Sequence, residues 1–486
     1  NACLDRVTET TDEIQRLQQD FAKELAVLKG RVDGLEKKVG TLESTQFSTT
    51  TKLEGDTYWT IGASSFGANG GPTGQSSGTS QFNNQNYGAL SFNYDLRLNL
   101  KTSFTGKDLL YTRLRSGNYN GSSFAGAPYS LGALDRAFPG GSNSGYAASN
   151  NVFYLDRLYY RWPINKTLTA LVGPAARNTE ALGTAPFYYT DHAGLDFFQL
   201  HGAPGTYNKA TGGTVALIWK QAVKKGKPYF TVSSSLVSPA SFSADAQGAG
   251  TISSSTSIEP NSGGILTNRS TDSILTQIGY VKDQWKSTFA WRYGKCGGDS
   301  NSQNRRGTEA ATRALQCSAG NGGAYSSYTN NFGLTFAWQP KKTGTVVPQV
   351  SLGYGYSAYA QQGVQTNMGT LYGALGAPNT GNAASGNVAA TQSWTVALQW
   401  QDAIKKGNSA GMAVGQPSFV TATRNGTTPQ DGNYAWEWWY KFKVSDQISL
   451  TPTIFYLSNP SSAGQPANGR GGSNAAGQAT NGNQFG

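Results

Sequence analysis

The sequence has little charge, little methionine and histidine, few cysteines and no long apolar run. Asp, Glu, Lys and Arg make up 14% of its 486 residues, well below the quarter usual for soluble domains. With two His and two Met, it lacks the composition of a typical soluble enzyme of this size. No segment approaches the ~20 apolar residues of a membrane helix, and mean hydropathy is −0.44. That excludes a helical membrane protein but not a transmembrane barrel, whose ~10-residue strands need only one apolar face. The three Cys are Cys3, Cys296 and Cys317. Three Cys and two distant His do not make a zinc site, so no metal or cofactor is expected. Cys296 and Cys317 bracket a Gly-rich polar loop and read as a loop disulfide in an oxidising compartment; the alternative is two unrelated thiols.

What is present is Gly, at 61 residues, and aromatics, at 12%, arranged in two patterns that meet near Gln46. Before it, apolar residues recur at alternating spacings of three and four, from Leu4 and Val7 through Leu25, Leu28, Val32, Leu35, Val39 and Leu42. A heptad stripe that does not drift predicts a coiled coil over 1–46 rather than a lone amphipathic helix, about 58 Å long. Polar Thr11 and Gln18 interrupt the seam, and Gly30, Gly34 and Gly40 weaken the helix, so association must supply its stability.

After Gln46 the period falls to two. Leu90, Phe92, Tyr94, Leu96, Leu98 and Leu100 share one face, while Asn93, Asp95, Arg97, Asn99 and Lys101 share the other. Fifteen such strands are legible, joined by alternately short turns and long Gly/Ser/Asn-rich loops. That predicts an all-β transmembrane barrel over 47–486 with one short-turn rim. Barrels of this kind are even-numbered, so a sixteenth strand is expected to be absent or concealed; the tail 459–486 reads as another long loop. Trp162, Trp219, Trp285, Trp338 and Trp400 all fall beside short turns, as an interfacial girdle requires. The same turns carry Lys107, Lys166, Lys224, Lys225, Lys227, Lys341, Lys342, Lys405 and Lys406. The rod enters the first strand at this rim and is expected in the periplasm.

Net charge is +11. Residues 1–50 carry seven bases and nine acids, so the barrel holds the excess. Its bases are scattered through strands and turns with no nucleic-acid module, which argues against nucleic acid as a partner. By parity the lumen charges are Asp95, Arg97, Lys101, Arg113, Arg115, Arg292, Glu437 and Lys441, joined by Asp135, Arg136 and Arg177 if their loops fold inward. Such charges set ion selectivity in a narrow pore, or pair to brace the wall. Gly74–Gly78 formally matches G-x-S-x-G, but in a low-complexity loop without a following helix it does not make a nucleophile elbow. Asp191, His192 and His201 lie in an aromatic loop better read as packing in the barrel mouth than as a catalytic or metal site. No enzyme is expected.

Phe21–Leu25, Lys29–Glu36 and Gln46–Leu53 resemble the junction of cyanobacterial outer-membrane porins that combine an S-layer-homology domain, a coiled coil and a carbohydrate-selective (OprB-type) barrel; some are labelled iron uptake porins. Asn1–Val7 is similar to the end of the S-layer-homology segment. The resemblance implies a homotrimer in outer-membrane lipid, periplasmic rods, and an N-terminal domain, mostly lacking here, that binds peptidoglycan or a linked polymer. Passive diffusion of ions and small polar solutes is the expected function. A carbohydrate-selective pore, or a structural tether from membrane to wall, is the alternative.

Overall fold

The computed structural model describes residues 2–45, 50–68, 77–138, 150–190, 193–238, 272–295, 306–308, 311, 328–344, 346–360, 388–423, 428, 431–458, 460 and 482–486. The heptad region forms one helix, α1 (Ala2–Thr45). Within this chain the stripe has no cover: Leu25, Leu28, Val32 and Leu35 are exposed. The side chains of Val39 and Leu42, the pair Asp191–His192, and both Cys296 and Cys317 lie outside the described residues.

The two-residue period becomes a sheet of antiparallel strands. The first stave is β1 (Thr51–Gly62) continued by β2 (Ser65–Ala68). Next come β3 (Ser91–Thr102), β4 (Leu109–Gly117), β5 (Tyr154–Pro163), β6 (Leu168–Arg177), β7 (Thr211–Lys220), β8 (Tyr229–Ser238) and β9 (Ser273–Lys282). The wall continues through β10 (Trp285–Lys295), β11 (Tyr328–Trp338), β12 (Gln349–Ala360), β13 (Val388–Gln401), β14 (Ser409–Thr423) and β15 (Tyr434–Lys443). It ends with β16 (Ser449–Leu450), β17 (Thr453–Ser458) and β18 (Gly482–Phe485). Since β1 with β2, and β16 with β17, are pieces of single staves, the 18 segments make a sixteen-strand barrel.

Closure runs through β18, which pairs with β17 on one side and with β2 on the other. The sixteenth strand was therefore concealed in the tail. Four residues of Gly-Asn-Gln-Phe show no alternation, so the segment reads as loop until its partners are known. The stretch after β1, expected as loop, also holds β2 and a helix, α2 (Ser77–Tyr87). Asn84 ties these together by accepting from Phe66 N and donating to Phe66 O.

Strand parity separates the faces. Trp59, Ile61, Phe92, Val215, Leu217, Phe289 and Leu334 stand bare on the outside, as a lipid-facing band requires. Trp162 stacks on Tyr160, Trp285 pairs in register with Trp338, and Trp219 lies opposite Leu168. Trp400 donates from its indole nitrogen to Val346 O in the adjacent short turn. All five occupy the outward parity near the short-turn rim.

The core lies inside the barrel. Segments 118–138 and 178–210, between β4 and β5 and between β6 and β7, fold inward. They are joined to each other, with Asp135 N donating to Gly194 O at 3.0 Å and Asp196 N to Ala133 O at 2.9 Å. Phe187, Tyr189, Leu195, Phe197 and Phe198 pack on Ala397, Ala413, Ala435 and Trp439 of β13–β15. Small wall residues make room: a Cβ on Gly353 would stand 2.0 Å from His201 O.

Candidate pore and its charged wall

The 178–210 segment is bound to one side of the lumen by groups projecting from β8 to β15. Ser233 Oγ accepts from Gly183 N, and Gln277 Oε1 from Thr184 N. Lys286 Nζ donates to Phe187 O at 2.8 Å and lies 4.0 Å from the Tyr188 ring centre. Ser351 Oγ accepts from Tyr188 N, Gln399 Oε1 accepts from Thr190 N, and Ser393 Oγ donates to Gly202 O. Glu437 accepts from Leu195 N at 2.6 Å and from the Tyr189 hydroxyl, which in turn accepts from Trp439 Nε1. A sheet face of short polar side chains can satisfy the backbone of an irregular segment in this way, which burial would otherwise penalise.

This lining changes the expected set of pore residues. Arg292 and Glu437 have the inward parity but are 0% exposed. Arg292 Nε donates to Gly205 O at 2.5 Å, so both lie beneath the inward segment rather than on the lumen surface. Strand parity reports direction only, and nothing in it says that another segment lies on top. The same applies to Trp439, an inward aromatic between the outward Trp438 and Tyr440.

The opposite wall, β1 with β3–β6, carries the remaining charges. Asp95 is buried between two guanidinium groups: Arg115 Nε donates at 2.6 Å, its second nitrogen at 2.9 Å, and Arg97 Nε at 2.9 Å. Arg115 also lies over the Phe138 ring. Asp156 is shared by Arg157 at 3.0 Å and Arg113 at 3.4 Å, and Arg157 Nε reaches Glu180 at 3.1 Å. Arg113 donates to Asn99 Oδ1 and to the Tyr111 hydroxyl. Such charge-assisted, partly bidentate pairs are geometrically rigid. They fix the guanidinium groups in position, so pairing and pore lining are not exclusive roles.

Water reaches a subset of these groups. The side chains of Arg113 and Arg136 are 17% and 15% exposed, and Lys101 is 40% exposed beside Glu54. Arg136 does fold inward, pairing with Asp56 at 3.0 Å and covering the Tyr58 ring. Arg161 and Lys441 are half-buried at inward positions, whereas Arg177, past a bulge in β6, pairs in register with Thr211, on the parity of the outward Val215 and Leu217. The half-exposed carboxylates on this side are Glu54, Asp56 and Glu180.

A second charged chain crosses between the inward segments. Lys209 binds both Asp135 and Asp196, and Arg306 Nε reaches Asp196 at 2.8 Å while its terminal nitrogen donates to Ser130 O. No periodic pattern marks these contacts in the sequence, because Asp135, Lys209 and Arg306 lie in loops and Ser130 and Asp196 open short 3-10 helices. Among the described residues, no group of three or more His, Cys, Asp or Glu could hold a metal ion.

The profile of the family described as "Carbohydrate-selective porin, OprB family" matches residues 8–481. An uncharacterized Nostoc sp. protein is 28% identical over 95% of this chain and 73% of its own length. An uncharacterized Synechocystis sp. protein is 26% identical over 95% of this chain and 76% of its own. Among solved structures, Pseudomonas putida OprB aligns over 92% of this chain and 96% of its own, at 11% identity and TM-score 0.48. An anion-selective porin from Comamonas acidovorans aligns over 89% and 98%, at 10% identity and TM-score 0.42. With nearly its whole length matched by one family profile, on a closed barrel with an apolar outside and a charged inside, the chain belongs to the carbohydrate-selective porin OprB family and is an outer-membrane porin.

Proposed function

We propose that this porin is a passive channel for inorganic ions and small polar solutes with a weak preference for anions. The observation that carries the reading is the imbalance on the water-reached wall. Lys101, Arg113, Arg136 and Arg161 stand against Glu54, Asp56 and Glu180, and Lys441 of β15 adds a further inward base. Low-dielectric walls focus such a field on a permeating ion. The preference is modest because several of these groups are paired.

A second reading, passage of carbohydrates, is favoured by the family description, although the inward rings of Tyr111 and Tyr159 are buried and that of Tyr58 is covered by Arg136. Reversal potentials in a salt gradient across planar bilayers test the first reading, and swelling of porin-containing vesicles in sugars of graded size tests the second. A clear cation preference would overturn the charge assignment. Sugar uptake that saturates, at weak ion conductance, would favour the carbohydrate reading.

The uncovered heptad stripe of α1 supports assembly as a homotrimer with its rods in a periplasmic coiled coil. A detergent-complex mass matching one barrel, with α1 intact, would refute this. Wall attachment through peptidoglycan or a linked polymer would need an S-layer-homology region beyond residues 1–7.

A further inference from the structure

The short turns combine two features that the pore does not use. The nine turn lysines named from the sequence are all exposed, and among the described residues none makes an ion pair. The nearby carboxylates are engaged elsewhere. Asp108 accepts from Ser103, Thr105 and Tyr160. Asp402 accepts from Gly407 N at 2.7 Å, a contact set by the left-handed turn at Gly407, and Asp446 is taken by Lys443. The second feature is apolar. Ile404 is 97% exposed and Val346 91%, and Phe104, Ile164 and Val223 are also exposed. Each shares its turn with lysine. An isolated exposed apolar side chain needs no explanation, but one in turn after turn, each beside lysine, does.

We propose that the short-turn rim is a collar for anionic lipid, with the lysines binding headgroup phosphates of the leaflet it meets and the apolar side chains entering that leaflet. The distribution of the residues identifies the partner. The turns joining β3 to β4, β5 to β6, β7 to β8, β11 to β12 and β13 to β14 all take part, so the pattern runs round most of the barrel. A protein or a polymer strand would meet one arc; a lipid annulus meets the whole ring. Depth agrees as well. Trp162, Trp219, Trp338 and Trp400 sit on the outward face a few residues from the lysines, at the level where indoles mark the headgroup boundary. Basic residues at that level attract anionic lipid and are screened by salt.

The test uses the whole porin in vesicles of phosphatidylcholine with a minority of phosphatidylglycerol, bromine being placed on one lipid or the other. Brominated chains quench the rim tryptophans in proportion to their local share. Phosphatidylglycerol should be enriched roughly fivefold at the rim, the factor that one lysine's attraction supplies. The enrichment should vanish in about 1 M salt, where the screening length falls to about 3 Å. It should also vanish when Lys107, Lys166, Lys224, Lys225, Lys227, Lys341, Lys342, Lys405 and Lys406 are changed to Gln, with conductance unchanged. Equal quenching by the two lipids in the unmodified protein at low salt would overturn the proposal. So would equal quenching combined with lysine-dependent sedimentation of the detergent-solubilised porin on purified wall polymer.

Discussion

Replacing Glu437 with Ala should loosen the inward segment and enlarge the pore. The carboxylate is fully buried and accepts from Leu195 N at 2.6 Å and from the Tyr189 hydroxyl, which is also fixed by Trp439 Nε1 at 2.6 Å. Alanine strands a buried amide and a buried hydroxyl. At about 1–3 kcal/mol for each unsatisfied group, the local cost is about 2–6 kcal/mol. The barrel should survive, because its strand pairing is untouched and Lys286, Ser351, Gln399 and Ser393 still hold the rest of the segment. The cost should therefore appear as opening of residues 189–198. At about 1.4 kcal/mol per factor of ten, their amides should exchange roughly thirtyfold faster or more. Single-channel records should gain excursions to higher conductance, since the Asp135–Lys209–Asp196–Arg306 chain begins beside Leu195. Glu437→Gln should fall between, because it keeps one acceptor oxygen. Unchanged exchange and an unchanged conductance distribution in Glu437→Ala would mean that the segment does not depend on this anchor.

Three further outcomes follow from the charges. Arg113→Gln should lower the chloride-over-potassium preference without reversing it, as read by reversal potential; it is a cleaner change than reversing Arg113 and Arg115 together, because Arg115 is locked on Asp95. Asp431 accepts from Thr308 Oγ1 and Val420 N, and its burial raises its carboxyl above the ordinary 3.8. A raised folded value contributes stability that is full below the unfolded value and is lost as pH rises through the folded one. Protection of the amides at 306–308, after correction for the intrinsic base-catalysed rate, should therefore be greatest in acid and fall toward neutrality, and Asp431→Asn should abolish that dependence. Asp108 is the opposite case: hydrogen bonds, first from Thr105, hold its carboxyl well below the ordinary range. Its contribution is present above the unfolded value and fades only in strong acid, so Asp108→Ala should lower the melting temperature at neutral pH and at mildly acidic pH alike.

The barrel was largely legible because each wall strand solves a two-sided problem that the chain records residue by residue. In β3, Phe92, Tyr94, Leu96 and Leu98 must meet lipid while Asn93, Asp95, Arg97 and Asn99 must not, so period two survives in the sequence. β8 runs from Tyr229 to Ser238, the bounds that its alternation predicts. The inward segments were less legible because their constraints are not periodic. Phe187, Tyr189, Phe197 and Phe198 mark 178–210 as apolar enough to bury, yet nothing in their spacing selects the β8–β15 side. The covering of Arg292 and Glu437 was hidden for the same reason. A possible clue lay on the wall: Gly353, Gly355 and Gly415, with Ala397, Ala413 and Ala435, leave inward positions too small to fill a lumen unaided. The charged wall lay between these cases. Parity gave the direction of Asp95, Arg97, Arg113 and Arg115, but not that Asp95 would be held between two guanidinium groups.

The closure at β18 bears on how the barrel assembles. With β1–β2 and β16–β17 each counted as one stave, each pairing among the described strands joins neighbours along the chain except that of β18 with β2, where Phe485 meets Ser65 some 420 residues away. Hairpins can form and add to one another at small entropic cost, each extending a growing open sheet. The last contact must find a partner at the far end of the chain and offers only four residues of ladder in return. The slow step should be this meeting of first and last staves, with the sheet beforehand a curved ribbon bearing two unpaired margins. Such a ribbon is sticky, so in a crowded membrane the main competitor of closure is the margin of a second copy.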